Sequence, residues 1–233
     1  MTLPLTKKHS FDTVFDSQKV FRLILKAVSN PARVVNIKEN ADKLYCDYSI
    51  FLTIGLTLMD NEISFNTCEN GALSDEIISL TLARREKLDS ADFVFISDVG
   101  DIKNLTENVI EDGIKNVIEN EAEDVIENET EGVIKNVTEN VIEDVIENVK
   151  CGTLAEPHKS ATVVIQNGGV PDCRLTLTGP GIDGQTTIQA TQTVKTAITL
   201  RDAQNYEYPQ GIDLIFISND GGLFAIPRLV KVV

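Results

Sequence analysis

The chain has 233 residues, 42% of them hydrophobic, which suits one sizeable domain with its own core. Its formal net charge is −15, but residues 104–147 hold 14 Asp and Glu against 2 Lys, so the remainder stands near neutrality at −3 and neither part carries the basic stripe of a nucleic-acid-binding protein. No apolar run approaches a membrane span, and the start MTLPLTKKHSF has no apolar segment followed by a small-residue cleavage site, so the expectation is a cytoplasmic protein.

The first predicted element is a helix from about Phe11 or Asp16 to Val28. Phe21, Ile24, Leu25 and Val28 recur at i, i+3, i+4 and i+7 and predict its buried face. Asn30-Pro31 stops it, because a residue before proline avoids the helical region. A strand over Arg33–Ile37, a helix near Cys46–Leu58, a strand at Ile63–Asn66, a helix around Ser74–Arg85 and a strand at Phe93–Ile96 follow. After the acidic segment come strands at Ala161–Gln166 and Arg174–Thr178 and a helix around Thr196–Ala203. The chain closes in a hairpin. Ile212–Ile217 and Leu223–Ile226 are its strands, and Asn219, Asp220, Gly221 and Gly222 supply the turn. This alternation predicts an α/β layered domain, and the hairpin makes its sheet mixed.

Residues 104–147 are eleven copies of a four-residue unit close to N-V-I-E. A strand would mix apolar and acidic side chains on both faces. In a helix the Val-Ile pair drifts about 40° per unit, so a single straight partner covers only a short part of the stripe. Gly113, Gly132 and the like charges four apart weaken such a helix. The segment, bounded at 100–150, therefore reads as an acidic low-complexity insertion, helical or disordered, that can be deleted from 104 to 147 without harm to the body. An acidic adaptor for a partner or for cations is the alternative reading. The N-x-T triplets at Asn104, Asn128 and Asn136 are products of the repeat in a chain with no secretory signal.

Candidate chemistry is sparse. Cys46, Cys68, Cys151 and Cys173 form no close pair, and with only His9 and His158 to help they predict packed, reduced thiols rather than a metal site. No Ser-His-Asp or Cys-His set is visible, and Lys195 and Lys231 lack any motif of a Schiff-base lysine. Gly179-Pro180-Gly181 fits a type II turn, with Pro at the second position and Gly at the third. It also admits a phosphate cradle, although proline removes a donor and no Lys or Thr follows. Asp213 sits within the apolar I-D-L-I and needs a partner, for which Arg228 is the candidate. Asp60 and Glu62 form an acidic pair at a helix end, expected to be solvated.

Several segments, taken in order, resemble one family. SQKVFRLILKAVSNPARVVNI (17–37) matches an opening pattern Q-x-x-F-R-x-L-L-x-A-M-S-x-P-G at Gln18, Phe21, Arg22, Leu25, Ala27, Ser29 and Pro31, while Val28 and Ala32 depart from it. LTLMDNEISF (56–65), ADFVFI (91–96), CGTLAEPHKSATVVI (151–165) and LTLTGPGI (175–182) follow. The ending is P-x-G-I-D-L-I (209–215), a turn, then A-I-P-R (225–228). The whole resembles the H subunit of the bacterial carbon–phosphorus lyase system, the PhnH family. The likeness spans nearly all of the chain except residues 100–150, where the family has a short helical connection.

The resemblance implies one domain over residues 1–233, similar to the large domain of pyridoxal-phosphate-dependent transferases but without that cofactor. It implies a homodimer within the carbon–phosphorus lyase core complex, with the G, I and J subunits as partners. Together with the G, I and L subunits, such a protein supports displacement of adenine from ATP by a phosphonate, giving a ribose 1-phosphonate 5-triphosphate. A separate radical subunit later cleaves the carbon–phosphorus bond. The alternatives are a stand-alone enzyme or ligand-binding protein of transferase-like fold, and an acidic interaction protein. No catalytic, cofactor-binding or metal-ligating residue is assigned. Gln18, Phe21, Arg22, Pro31, Gly179, Pro180, Gly181, Gly211, Asp213, Pro227 and Arg228 are family-motif positions expected to be structural or at an interface.

Overall fold

Two apolar runs, TVVIQ and DLIFI, become the central strands of a seven-stranded sheet. The computed structural model describes residues 9–97 and 140–233. The first half contains α1 (Phe15–Ser29), β1 (Val35–Asn36), α2 (Lys38–Ala41), α3 (Ser49–Leu58), β2 (Ser64–Asn66), α4 (Gly71–Thr81), β3 (Arg84–Arg85) and β4 (Phe93–Ile96). A helix over residues 140–148, α5, opens the second half. Then come β5 (Thr162–Gln166), β6 (Cys173–Thr178), β7 (Thr186–Ala190), α6 (Gln192–Ala203), β8 (Asp213–Ile217), β9 (Gly222–Ile226) and β10 (Lys231–Val232).

The large sheet has the order β1-β9-β8-β5-β4-β2-β3. Strands β8, β5, β4, β2 and β3 run parallel, and β9 is antiparallel to both β8 and β1, so the sheet is mixed and the protein α/β. Side chains alternate between two cores. Val163, Ile165, Leu214 and Phe216 face one core, covered by α5, α6 and the smaller sheet. Val164, Ile215 and Ile217 face the other, covered by α1, α3 and α4. A strand buried on both faces must be apolar throughout, which is why these runs do not alternate with polar residues. The smaller sheet, β10-β6-β7, is antiparallel. Its β7 (TTIQA) and the terminal β10 were not predicted, since both are short and β7 is largely polar.

Three expectations are corrected. First, α1 buries Val20, Ile24 and Ala27, together with Asp16, whereas Phe21, Leu25 and Val28 stay 48%, 53% and 38% exposed. Both sets satisfy a helical period and share Ile24, so spacing alone did not separate them. Asp16 holds this face in place: its carboxylate accepts from Lys43 Nζ at 2.6 Å, from Asn40 Nδ2 at 3.1 Å and from the Asp12 amide at 2.9 Å. Second, the helix predicted to Arg85 ends at Thr81, because Leu82 turns left-handed (φ +60°) and Arg84–Arg85 pair with β2.

The third correction concerns the acidic segment. Most of it, with the expectations placed on it, lies outside the described residues. Its last two units do not stand apart from the body. Ile142, Val145, Ile146 and Val149 are buried in the core, at i, i+3, i+4 and i+7 of α5, while Glu143, Asp144 and Glu147 point outward. Over two units the drift is only about 40°, small enough for one helix face to hold both Val-Ile pairs.

Candidate functional site

The amino ends of the parallel strands gather most of the family-motif positions. Phe93, Thr162 and Asp213 are the first residues of β4, β5 and β8 and sit side by side. Asp213 forms a two-pronged pair with Arg228, with Nη2 at 2.5 Å from Oδ2 and Nε at 3.3 Å from Oδ1. The Arg228 amide also donates to Oδ1 at 2.8 Å, and Nη1 donates to the Pro157 carbonyl. A carboxylate at the mouth of an apolar strand is thereby neutralised and fully bonded. Gly211 lies against this pair. A Cβ added there would stand 3.1 Å from Arg228 Cβ, and its φ of +138° excludes most side chains.

Gly179-Pro180-Gly181 forms the turn its residues suggest. The Ile182 amide donates to Gly179 O at 3.1 Å, and Gly181 has φ +83°, the value a type II turn requires at its third position. The turn seats Gly181 on the end of α1, where a Cβ would meet Ser29 O at 2.7 Å and Pro31 Cδ at 2.8 Å. Gly179 abuts Leu229 and Val230 in the same way. So Pro31, the glycine turn, Gly211, Asp213, Pro227 and Arg228 meet at one edge of the molecule. Gln18, Phe21 and Arg22 lie exposed on α1 beside it.

Two adjoining hollows mark that edge and share Asp213 and Pro227. One, of about 380 Å³, is walled by Pro157, Pro180, Pro209 and Pro227 with His158. The other, of about 230 Å³, lies between α1 and the strand mouths and is lined by Phe21, Leu25, Val28, Leu58, Phe93 and Pro227. Sequence reasoning missed the residue that fixes this edge from behind. Arg201 is 1% exposed and donates to the carbonyls of Ile226, Pro227 and Val230. The signal was present: Val194, Ala197, Ile198 and Arg201 fall at i, i+3, i+4 and i+7, which puts a guanidinium on the buried stripe of α6.

The carboxyl ends differ. The chain order reverses between β2, which leads to β3, and β4, which leads toward β5. A crevice at such a reversal is where open α/β sheets hold ligands. Asn70 caps α4 by accepting from the Leu73 amide at 3.0 Å and bridges to Ser97 Oγ at 3.0 Å. Beside it opens a cleft of about 820 Å³ lined by Asn66, Cys68, Glu69, Arg85, Glu86, Lys87 and the start of α5. Burial, with the carboxylates of Asp144 and Glu69, pushes the Cys68 thiol up to about 12, which favours the neutral thiol over the nucleophilic thiolate at neutral pH. Arg85 is occupied by Ser74 Oγ at 2.7 Å and Asp75 at 3.3 Å. Lys195 is exposed on α6, and Lys231 donates to Asp202 at 3.2 Å. Among the described residues, no group of three or more His, Cys, Asp or Glu is placed to hold a metal ion.

Fold and site together define an α/β protein with a mixed sheet. Its motif residues build an edge rather than a nucleophile–base constellation. The family model for the bacterial phosphonate metabolism protein PhnH matches residues 9–113 and 123–233, and the chain belongs to that family. Comparison with curated proteins gave no significant match. Membership puts the chain in bacterial phosphonate metabolism. Among the described residues no helix is long and apolar enough to cross a membrane.

Proposed function

We propose that this chain is a non-catalytic subunit of the carbon–phosphorus lyase core complex, acting in the cytoplasm with the G, I and J subunits. In this reading it supports, with the G, I and L subunits, the attack of a phosphonate on ATP that expels adenine and leaves ribose 1-phosphonate 5-triphosphate. The family match across both halves of the chain carries the reading. The edge described above agrees with it, because Asp213 and Arg228 are spent on each other and on the backbone and leave a contoured, largely apolar surface. A likeness of the fold to the large domain of pyridoxal-phosphate-dependent transferases and a homodimer built on the folded body belong to the same proposal.

Purified protein incubated with ATP and methylphosphonate, alone and with the other three subunits, tests it. Adenine is expected only from the mixture. Release by the lone chain at a comparable rate would overturn the proposal, and so would a mixture whose rate is unchanged when this chain is omitted. The cleft of about 820 Å³ at the carboxyl ends favours a second reading, a ligand-binding protein in its own right. Saturable binding of ATP or a phosphonate to the isolated chain, lost when Glu69 and Lys87 are replaced, distinguishes that case.

A further inference from the structure

The stripe on α1 is apolar, exposed and unexplained by the core. Phe21, Leu25 and Val28 stand at i, i+4 and i+7 and form one ridge. Together with Leu58, Phe93 and Pro227 they wall a groove, not a bulge. Above the ridge the outer crest of α1 carries Lys19, Arg22 and Lys26, with Arg33 just past its end, all exposed. Lys19 leans on Asp16 at 3.8 Å, while Arg22, Lys26 and Arg33 form no ion pair among the described residues. The carboxylate that lines the groove, Asp213, is already paired with Arg228, and Asp16 on the same helix is paired with Lys43. This cationic crest over an apolar groove sits on a body whose net charge outside residues 104–147 is −3.

We propose that this groove docks an acidic amphipathic helix of another protein, with apolar residues at i, i+3, i+4 and i+7 and carboxylates along one flank. The inference rests on the reading of the chain as a subunit of a complex and supplies the chemistry of one partner. The apolar residues fill the groove between α1 and the mouths of β4, β5 and β8, and the carboxylates meet Arg22 and Lys26. The molecule already contains one such contact. On the opposite face of the sheet, α5 buries Ile142, Val145, Ile146 and Val149 while Glu143, Asp144 and Glu147 face outward.

A second copy does not fit the groove, because a two-fold contact through α1 sets Arg22 and Lys26 against themselves. A lipid surface fits poorly too, since it covers convex apolar faces and does not fill a hollow.

The test uses the full chain and two fluorescently labelled peptides about five helical turns long. Both have Leu and Ile at the stated spacing; one carries Glu and the other Lys at the flanking positions. Fluorescence anisotropy is expected to show binding of the Glu peptide only, weakening as salt rises. Leu25→Ser and Arg22→Glu should each lower its affinity by about tenfold or more, with the thermal midpoint barely moved because both residues are exposed. If Leu25→Ser fails to fold, Arg22→Glu and Lys26→Glu carry the test. Equal binding of both peptides, absence of binding by the Glu peptide, or affinities indifferent to these variants would overturn the proposal. Loss of a dimer in Leu25→Ser on ultracentrifugation would assign the groove to a second copy instead. Preference for anionic vesicles or an oligonucleotide over the Glu peptide would likewise reject it. Adenine release by the assembled subunits is a separate readout, so the groove can fail while the subunit reading stands.

Discussion

The two ends of the parallel strands solve the same problem in opposite ways. At the amino ends the two carboxylates beside the strand mouths, Asp213 and Asp92, are tied down. Asp213 takes Arg228, and Asp92 takes Lys150 together with the Ser64 hydroxyl at 2.7 Å and amide at 2.8 Å. At the carboxyl ends a wide cleft is left open, with Glu69, Glu86 and Lys87 at its wall. An end whose charges are spent internally offers shape and apolar area, which suits a protein partner. An end with an open cleft at a chain reversal offers room for a small molecule. Helix α5 joins the two. It begins beside the cleft at Asn140 and Val141 and leads to Lys150, which anchors at Asp92.

That junction is where the comparison is easiest to break. Deleting residues 140–147 should abolish cooperative thermal unfolding, because it strips Ile142, Val145 and Ile146 from one core. The milder Ile146→Ala should cost about 2–4 kcal/mol in denaturant unfolding, as for other fully buried aliphatic truncations. A deletion variant that melts as the parent does would show that α5 is dispensable and that the ends are not coupled through it.

Next in size is Asp213→Ala. It leaves Arg228 with its backbone partner at Pro157 but without its counter-charge, in a place only about a fifth exposed. The expected loss is about 1–3 kcal/mol, the cost of a half-buried charged group left partly unmade. Replacing both partners with apolar residues should recover part of it. A neutral result for the single variant would mean that the amino-end network is ornamental.

The smallest effect belongs to the cleft. With its thiol raised to about 12, Cys68 should alkylate slowly throughout pH 7 to 9, its rate still climbing about tenfold per pH unit with no plateau, as followed by peptide mass mapping. The sign is clear: burial and two carboxylates favour the neutral thiol, so thiolate accumulates only far above that range. Cys46 is held protonated in the same way, first by burial and then by Glu76. Rapid labelling of Cys68 near pH 7 would reveal a reactive cleft and sharpen the ligand-binding alternative.

The sequence made some of this legible and hid the rest for physical reasons. Strands β4, β5, β8 and β9 are visible because burial on both faces demands uninterrupted apolar runs. The Asp213–Arg228 pair is visible because a carboxylate inside such a run cannot go unpartnered. The α1 face is not, because a docking ridge and a core stripe have the same helical period: Phe21, Leu25 and Val28 obey it as well as Val20, Ile24 and Ala27 do. The groove could not be read at all, since Phe21, Phe93, Thr162, Asp213 and Pro227 are scattered along the chain and meet only through strand pairing. The α5 anchor was hidden inside a repeat whose average behaviour argued against burial, although two units suffice.

The buried face of α5 has a further consequence for how this gene product can slip. Moving the chain by one four-residue unit would put Thr138, Val141, Ile142 and Val145 into the slots of Ile142, Val145, Ile146 and Val149. Three of those four slots would receive the same residue they now hold. The Ile-to-Thr exchange opposes the move, as do the loss of Lys150 from Asp92 and of the backbone bonds that Lys150 and Cys151 accept from Ala161 and Gly211. The frame of this helix is therefore set by the residues that follow the repeat, Lys150 and Cys151, more than by the repeat itself. Together they act as a latch against a nearly degenerate misthreading.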